Sequence, residues 1–372
     1  MEFRMQRLRK FFSPRIRAAG LVLWLGLVVV ATLEAGARLD DWFAYGASPL
    51  GNYQFEGLFR QTGRGLRGIP NARYVRWQLN GTGIRGPEVR ADAGQVRILT
   101  YGASETFGIY EQTGKEYPRA LESDLNRRTS AGTFEVLNAG IPGMRVGSGI
   151  ELLTDFGAQF RPAVVVIYPT PTHYIGVSRP YCGRPPRTPT GGAGGFEWRI
   201  TEKIKDRLKE VLSEDAWMYA RKAAIAWSLR SSKPMAAVDA SSLDAFEFDL
   251  HCALRTVHEI GATPVLATHA NRFGDARHPG DEAWLVGWRM QYPELLEDGF
   301  IDLENRANAV IRRVAAQEGV ALADAATVLG GDTRYFADHA HFSDEGAARM
   351  GALLADVVLR VRATSLASTP TR

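Results

Sequence analysis

The sequence predicts an α/β protein: a three-layer α/β/α sandwich on a five-stranded parallel sheet, with a transmembrane helix at its N-terminal end. Three observations carry that expectation. Short apolar runs alternate with helical patterns from Val96 to Val361, the order that yields a parallel sheet covered on both faces. One run, Ala163–Tyr168, is apolar at consecutive positions, as a strand buried on both faces requires. The segment Ala18–Leu33 holds sixteen residues without a charge directly behind a basic arm, the pattern of a membrane anchor.

The arm, residues 1–17, carries Arg4, Arg7, Arg9, Lys10, Arg15 and Arg17 against Glu2 alone, a net +5. The 372-residue chain is formally +4, so residues 18–372 sum to −1 and leave no electrostatic footprint for DNA or RNA. With 45% hydrophobic and 23% charged residues the composition is globular. The anchor is placed at 18–37. Its uncharged stretch is short of the roughly 20 residues a bilayer needs, and Arg15, Arg17 and Arg38 lengthen it by snorkelling. The positive-inside rule puts the arm in the cytoplasm and everything after about residue 38 on the other side. Two other readings fit the same segment. One is a cleaved signal peptide, because Ala35-Gly36-Ala37 resembles a small-residue cleavage site; the other is a buried core helix.

Residues 38–92 read as a stalk and a docked irregular segment, rich in aromatics and broken by glycines, ending in LNGTGIRGPEV (Leu79–Val89). The main domain is placed at 93–364. Its first strand is Val96–Tyr101, followed by a helix around Tyr117–Arg127 with Leu121 and Leu125 on one face. Phe134–Asn138 is the second strand and Ala163–Tyr168 the third; Thr263–Thr268 and Val320–Asp324 are the fourth and fifth. Between the third and fourth lies an excursion at 177–240, a Pro/Gly-rich loop and two helices, read as an insertion or lid. Trp217, Tyr219 and Trp227 are expected to form the core of that insertion, with a substrate platform as the other reading. Residues 365–372 read as a disordered tail. Cys182 and Cys252 are too far apart for a metal motif; they either pair, if the domain is exported, or remain two free thiols.

Two sites carry candidate chemistry. Ser104, in GASETFG, follows the first strand, which puts its hydroxyl on the ligand side of an open parallel sheet, beside a backbone N–H free to bind an anion. A lone serine there is otherwise a helix N-cap. Asp338 and His341 stand three residues apart in the loop before the last helix, which starts at about Ser343. At that spacing a carboxylate reaches one imidazole nitrogen and fixes its tautomer, leaving the other to take a proton from a serine. A surface loop with ordinary charges is the alternative.

Together the serine after the first strand, the turn NAGIPG after the second and D-x-x-H before the final helix resemble the SGNH (GDSL-like) hydrolase family, from about Val96 to Val361. The apolar N-terminal segment and LNGTGIRGPEV look like its membrane-anchored bacterial members that act with surface polysaccharides. The resemblance implies a flavodoxin-like sandwich with Ser104 as nucleophile and Asp338 and His341 as its acid and base. It implies an oxyanion hole from the backbone of Ser104 and Gly143. The third block departs from the family's G-x-N-D: Tyr168-Pro169-Thr170-Pro171-Thr172-His173 stands there. Counting places Thr172 at the asparagine, with His173 as a substitute donor. Ala103 replaces the aspartate of the GDS form. Arg145, His173 and His269 are candidate substrate-binding residues, His269 with Asn271 and Arg272; His251 and His258 read as structural or exposed, and His339 as a neighbour of the pair. G-x-S-x-G is absent, which sets aside the α/β-hydrolase elbow. No metal cluster, P-loop or dinucleotide fingerprint is visible, and no cofactor or metal is expected.

The implied function is a single-pass, periplasmic serine esterase of the cell inner membrane that hydrolyses acyl or acetyl esters, including those on a carbohydrate. Two alternatives share the sequence: an O-acyltransferase on an envelope or exopolysaccharide, and a catalytically weak glycan-binding or scaffold protein.

Overall fold

The structure is a computed structural model and describes residues 14–45, 49–50, 55–74, 76–91, 94–130, 133–184, 198–211, 213–229 and 233–367. Nearly all of the basic arm, the Pro/Gly-rich loop of the excursion at 185–197 and residues 368–372 lie outside the described residues. The chain forms two compact units.

The unit that carries the sheet has five strands: β1 (Val96–Gly102), β2 (Phe134–Asn138), β3 (Val164–Tyr168), β4 (Thr263–Ala267) and β5 (Ala321–Ala323). They lie in the order β2-β1-β3-β4-β5, and every neighbouring pair is parallel. This is the doubly wound, flavodoxin-like order, whose chain reversal falls between β1 and β3. Register places Gly102 opposite Tyr168, so the loops after β1 and β3 leave the sheet side by side at that reversal.

Strand periodicity sorts the core. Leu99, Leu137, Val165, Ile167 and Leu266 face a cluster shared with α3 (Ile150–Phe160), α6 (Ala240–Glu259) and α8 (Glu297–Gln317). Ile98, Val136, Val164, Val166 and Val265 face the opposite cluster, shared with α2 (Tyr117–Arg128) and α9 (Asp344–Ala367). Each such side chain contributes about 1.5–3 kcal/mol on burial. α9 runs to Ala367, into the segment expected as a tail.

Helix α3 is not anticipated from sequence because Gly157 interrupts its apolar pattern. The glycine is there for contact: a Cβ would stand 2.6 Å from Ile260 Cγ2. Nor is α7 (Glu282–Arg289) anticipated; it buries Trp288 in a third cluster with Phe273 and Phe300. In the excursion, α5 (Glu214–Ser228) buries Ile225 and aims the Arg221 guanidinium at the Ala283 carbonyl, 3.3 Å away. That face points inward, so Tyr219 and Trp227, expected in a core, are 77% and 68% exposed. Cys182 and Cys252 are joined in a disulfide.

The other unit pairs α1 (Pro14–Tyr45) with α4 (Arg199–Val211). Among the described residues α1 alone is long and apolar enough to cross a membrane, over Ala18–Ala44. Its polar end is organised differently from its apolar stretch. The buried Glu34 carboxylate accepts the Arg199 and Ile200 N–H groups at 3.1 and 3.0 Å, satisfying the first turn of α4. Asp41 pairs with Arg199 and Lys203.

Candidate active site

Ser104 opens a single helical turn, Ser104–Phe107, that follows β1 through Ala103. The turn is tight: a Cβ on Gly102 would come 2.2 Å from Thr106 Oγ1 and 2.5 Å from the Tyr168 carbonyl, so only glycine fits. Its far end is clamped by the segment that resembles a docked strand. Arg85 bridges Asn138 through the backbone, donates from its guanidinium to the Phe107 and Gly108 carbonyls, and pairs with Glu116. Sequence reading assigned no role to this stretch, and Arg85, the single charged residue between Leu79 and Pro87, is the one signal that could have found it.

The loop after β2 is drawn onto the same turn. Gly140 lies against it so closely that a Cβ would stand 2.3 Å from the Phe107 nitrogen, and the Ile141 N–H donates to the Gly102 carbonyl at 3.1 Å. Gly143, three residues on, has φ +76° with open space beside it.

The third part comes from the loop before α9. His341 Nδ1 lies 2.8 Å from Asp338 Oδ2, while Asp338 Oδ1 accepts the backbone N–H groups of Ala340 and His341 at 2.9 and 2.8 Å. The loop is held by the Ala337 N–H on the His341 carbonyl and the Ser343 N–H on the Tyr335 carbonyl, both at 2.9 Å. Burial opposes ionisation of Asp338, but its hydrogen bond and charge contact with His341 win and hold the carboxyl well below the usual range. Burial likewise opposes the His341 imidazolium, and Asp338 outweighs it and raises the imidazole pKa. His341 Nε2 is buried with no hydrogen-bond partner among the described residues, and the Tyr110 ring meets the imidazole edge-on at 5.4 Å.

A second polar chain runs behind the serine. Ser104 Oγ donates to Glu105 Oε2 at 3.3 Å, and Thr170 Oγ1 donates to the same oxygen at 2.9 Å. Glu105 Oε1 lies 3.3 Å from His269 Nε2, and His269 Nδ1 lies 2.7 Å from Glu304 Oε2. Burial works against charge on Glu105 and on His269. The two carboxylates nevertheless carry the His269 pKa up to about 10, and the His269 hydrogen bond and charge hold Glu105 well below the usual range. Neither Glu105 nor Glu304 stands out in sequence; Glu304 reaches the site only because α8 crosses behind β4.

The remaining expected residues fall as follows. His269 is fully buried with both ring nitrogens on carboxylates, so it stands behind Ser104 and lines no open wall. Thr172 is buried, and Thr170 is the threonine brought to Glu105. His173 Nδ1 lies 3.1 Å from the Met144 carbonyl, and Arg145 Nε donates to the His173 carbonyl at 2.8 Å. Arg272 stacks on Trp284, its guanidinium 4.2 Å from the ring centre, and Asn271 Oδ1 accepts the Phe273 N–H. His339 stacks on Trp288, 4.7 Å between centroids, and burial pushes its pKa down to about 4. Asp338, His339 and His341 each offer a metal-ligating atom within 4.8 Å of the others; the same carboxylate already receives the hydrogen bonds described above.

No family profile and no curated protein matches the chain. Solved structures similar to it include an acetyl xylan esterase at 14% identity, covering 72% of this chain and 99% of that one, with a TM-score of 0.41. A lipase/acylhydrolase from Enterococcus faecalis is 17% identical, covering 72% and 96%, with a TM-score of 0.42. A carbohydrate acetylesterase from Sinorhizobium meliloti is 11% identical, covering 72% and 100%, with a TM-score of 0.40.

Proposed function

We propose that the chain is a serine esterase of the SGNH type, anchored by α1 with its sheet domain outside the cytoplasm. One observation carries the reading: the loop before α9 presents an imidazole whose Nδ1 is held by a carboxylate and whose buried Nε2 is unengaged. Ser104 stands at the end of β1, where an open α/β sheet binds ligands.

In this mechanism His341 Nε2 takes the Ser104 proton as Oγ attacks the ester carbonyl. The N–H groups of Ser104 and Gly143 receive the developing oxyanion, and the positive φ of Gly143 suits a backbone turned toward ligand. The imidazolium returns its proton to the departing alcohol, leaving the acyl group on Ser104. Water, deprotonated by the same imidazole, then releases the carboxylic acid and restores the serine. Asp338 fixes the tautomer throughout. The Cys182–Cys252 disulfide supports the location, since such bonds persist in oxidising compartments.

A fluorophosphonate probe tests the nucleophile. We expect it to label the protein, and Ser104→Ala to abolish labelling. A Ser104→Ala protein still labelled at the wild-type rate overturns the assignment.

A further inference from the structure

The loop from Gly176 to Arg184 is exposed along much of its length, yet it is anchored twice. Asp249, fully buried on α6, accepts the Tyr181 N–H at 2.9 and 3.0 Å, the Cys182 N–H at 2.9 Å and the Tyr174 hydroxyl at 2.7 Å. The Cys182–Cys252 disulfide ties the same loop to the same helix. Gly147 makes room for this arrangement, because a Cβ there would stand 2.2 Å from Asp249 Cγ.

What the anchors hold in place is Tyr181. The Arg145 guanidinium lies 4.8 Å from its ring centre and the Arg184 guanidinium 4.6 Å. Arg179 and Arg184 line one shallow depression of about 730 Å³, and Arg184 donates to the Arg179 carbonyl. Among the described residues, no carboxylate forms an ion pair with Arg145, Arg179 or Arg184; the Arg145 and Arg184 guanidinium groups donate to backbone carbonyls.

Two like charges on one ring repel, and an exposed ring face returns only about 0.5–1 kcal/mol per cation. An anion between them removes the repulsion. A carboxylate does so with most gain, since its two oxygens match the guanidinium fork. Arg145 joins this place to the candidate active site, because its Nε bonds the His173 carbonyl and it follows Gly143 closely in the chain.

We propose that the arginines around Tyr181 form a subsite for the carboxylate of an acidic glycan, so that the ester cleaved here sits on a uronic-acid-containing chain. That substrate class rests on the esterase reading; binding at the subsite does not require catalysis, and the two are tested separately. A neutral sugar offers the cations no countercharge, which is why the acidic chain is favoured.

Calorimetry on the full-length Ser104→Ala protein in detergent, with oligogalacturonate and with xylo-oligosaccharide, measures binding alone. Oligogalacturonate is expected to bind at least tenfold more tightly, to weaken as salt rises, and to lose about tenfold in Arg184→Ala, with Arg184→Lys keeping part of the affinity. In the protein with Ser104 intact, Arg184→Ala is expected to lower the preference for acetylated oligogalacturonate over acetylated xylo-oligosaccharide through KM. Equal affinity for the two glycans overturns the subsite. So does affinity untouched in Arg184→Ala at an unchanged melting temperature, or charge-dependent binding to phosphatidylglycerol vesicles with none to oligogalacturonate. Binding as expected without ester turnover sustains the subsite and overturns the esterase reading instead.

Discussion

Asp338 acts on His341 in two ways, and each has its own experimental signature. Its Oδ2 fixes the proton on Nδ1, and its charge raises the imidazole pKa against the pull of burial. A base must be neutral to accept the serine proton, so kcat/KM on a short acyl ester should rise with pH through a midpoint above 6.5, the imidazole's ordinary value. Asp338→Asn is expected to lower the rate by roughly 10⁴, as loss of the correct tautomer does elsewhere, and to move that midpoint down. A rate profile measured from pH 5 to 9 checks both; an unmoved midpoint contradicts the role. This pair was legible in sequence because its members lie in one turn. The Glu105–His269–Glu304 chain was not, because its three residues come from the turn after β1, the end of β4 and the middle of α8. Sequence placed His269 on the ligand edge of the sheet, and only the packing of α8 shows it enclosed. Replacing it as His269→Gln leaves two buried carboxylates facing a neutral amide. Breaking a buried pair in this way costs about 3–5 kcal/mol, measurable by urea unfolding at pH 7. The sign with pH follows from the raised pKa. The contribution of His269 is complete below its ordinary 6.5 and fades as pH climbs toward about 10. The alkaline decline in wild-type stability should therefore flatten in His269→Gln.

Among the elements, the five strands could be read from sequence because each is a short apolar run bounded by turn residues. A run such as VVVI fills both faces of a central strand and has no helical alternative of that length. Helices α3 and α7 escaped for physical reasons: Gly157 and the shortness of α7 blunt their periodicity, although tertiary contact fixes both. The docked stretch around Arg85 escaped because a residue that works by clamping backbone carbonyls leaves no periodic trace. The disulfide was left open by sequence, since pairing depends on the fold bringing Cys182 to α6. It closes a separation of 70 residues, and by constraining the unfolded chain such a bridge contributes about 2–4 kcal/mol. Cys252→Ser should lower the urea midpoint accordingly, and reduction of the wild-type protein should reproduce the same shift. A midpoint unchanged by both treatments shows that the bridge does not stabilise the fold.

At the scale of the whole molecule, topology turns on how α1 divides along its length. From Leu21 to Leu33 its large apolar side chains are exposed, while from Glu34 to Asp41 its carboxylates are committed to Arg199, Ile200 and Lys203 of α4. Burying those carboxylates in hydrocarbon would be costly, so under the proposed anchoring the membrane boundary is expected close to Glu34, with α4 on the watery side that follows it. No other helix among the described residues is long and apolar enough to return the chain across a bilayer. The proposed anchoring therefore expects the described residues after α1, including both cysteines, in one compartment, an oxidising one in which a disulfide persists. The positive-inside rule applied to the basic arm gives the same expectation, with the arm in the cytoplasm. Alkaline phosphatase, which is active only outside the cytoplasm, should therefore be active when fused after Ala367, whereas a green fluorescent protein exported through the same junction should stay dark. In the same cells Cys182 and Cys252 should resist maleimide labelling until reduced. A fluorescent fusion with an inactive phosphatase would reverse the topology, and freely labelled cysteines would separate the location of the domain from its disulfide.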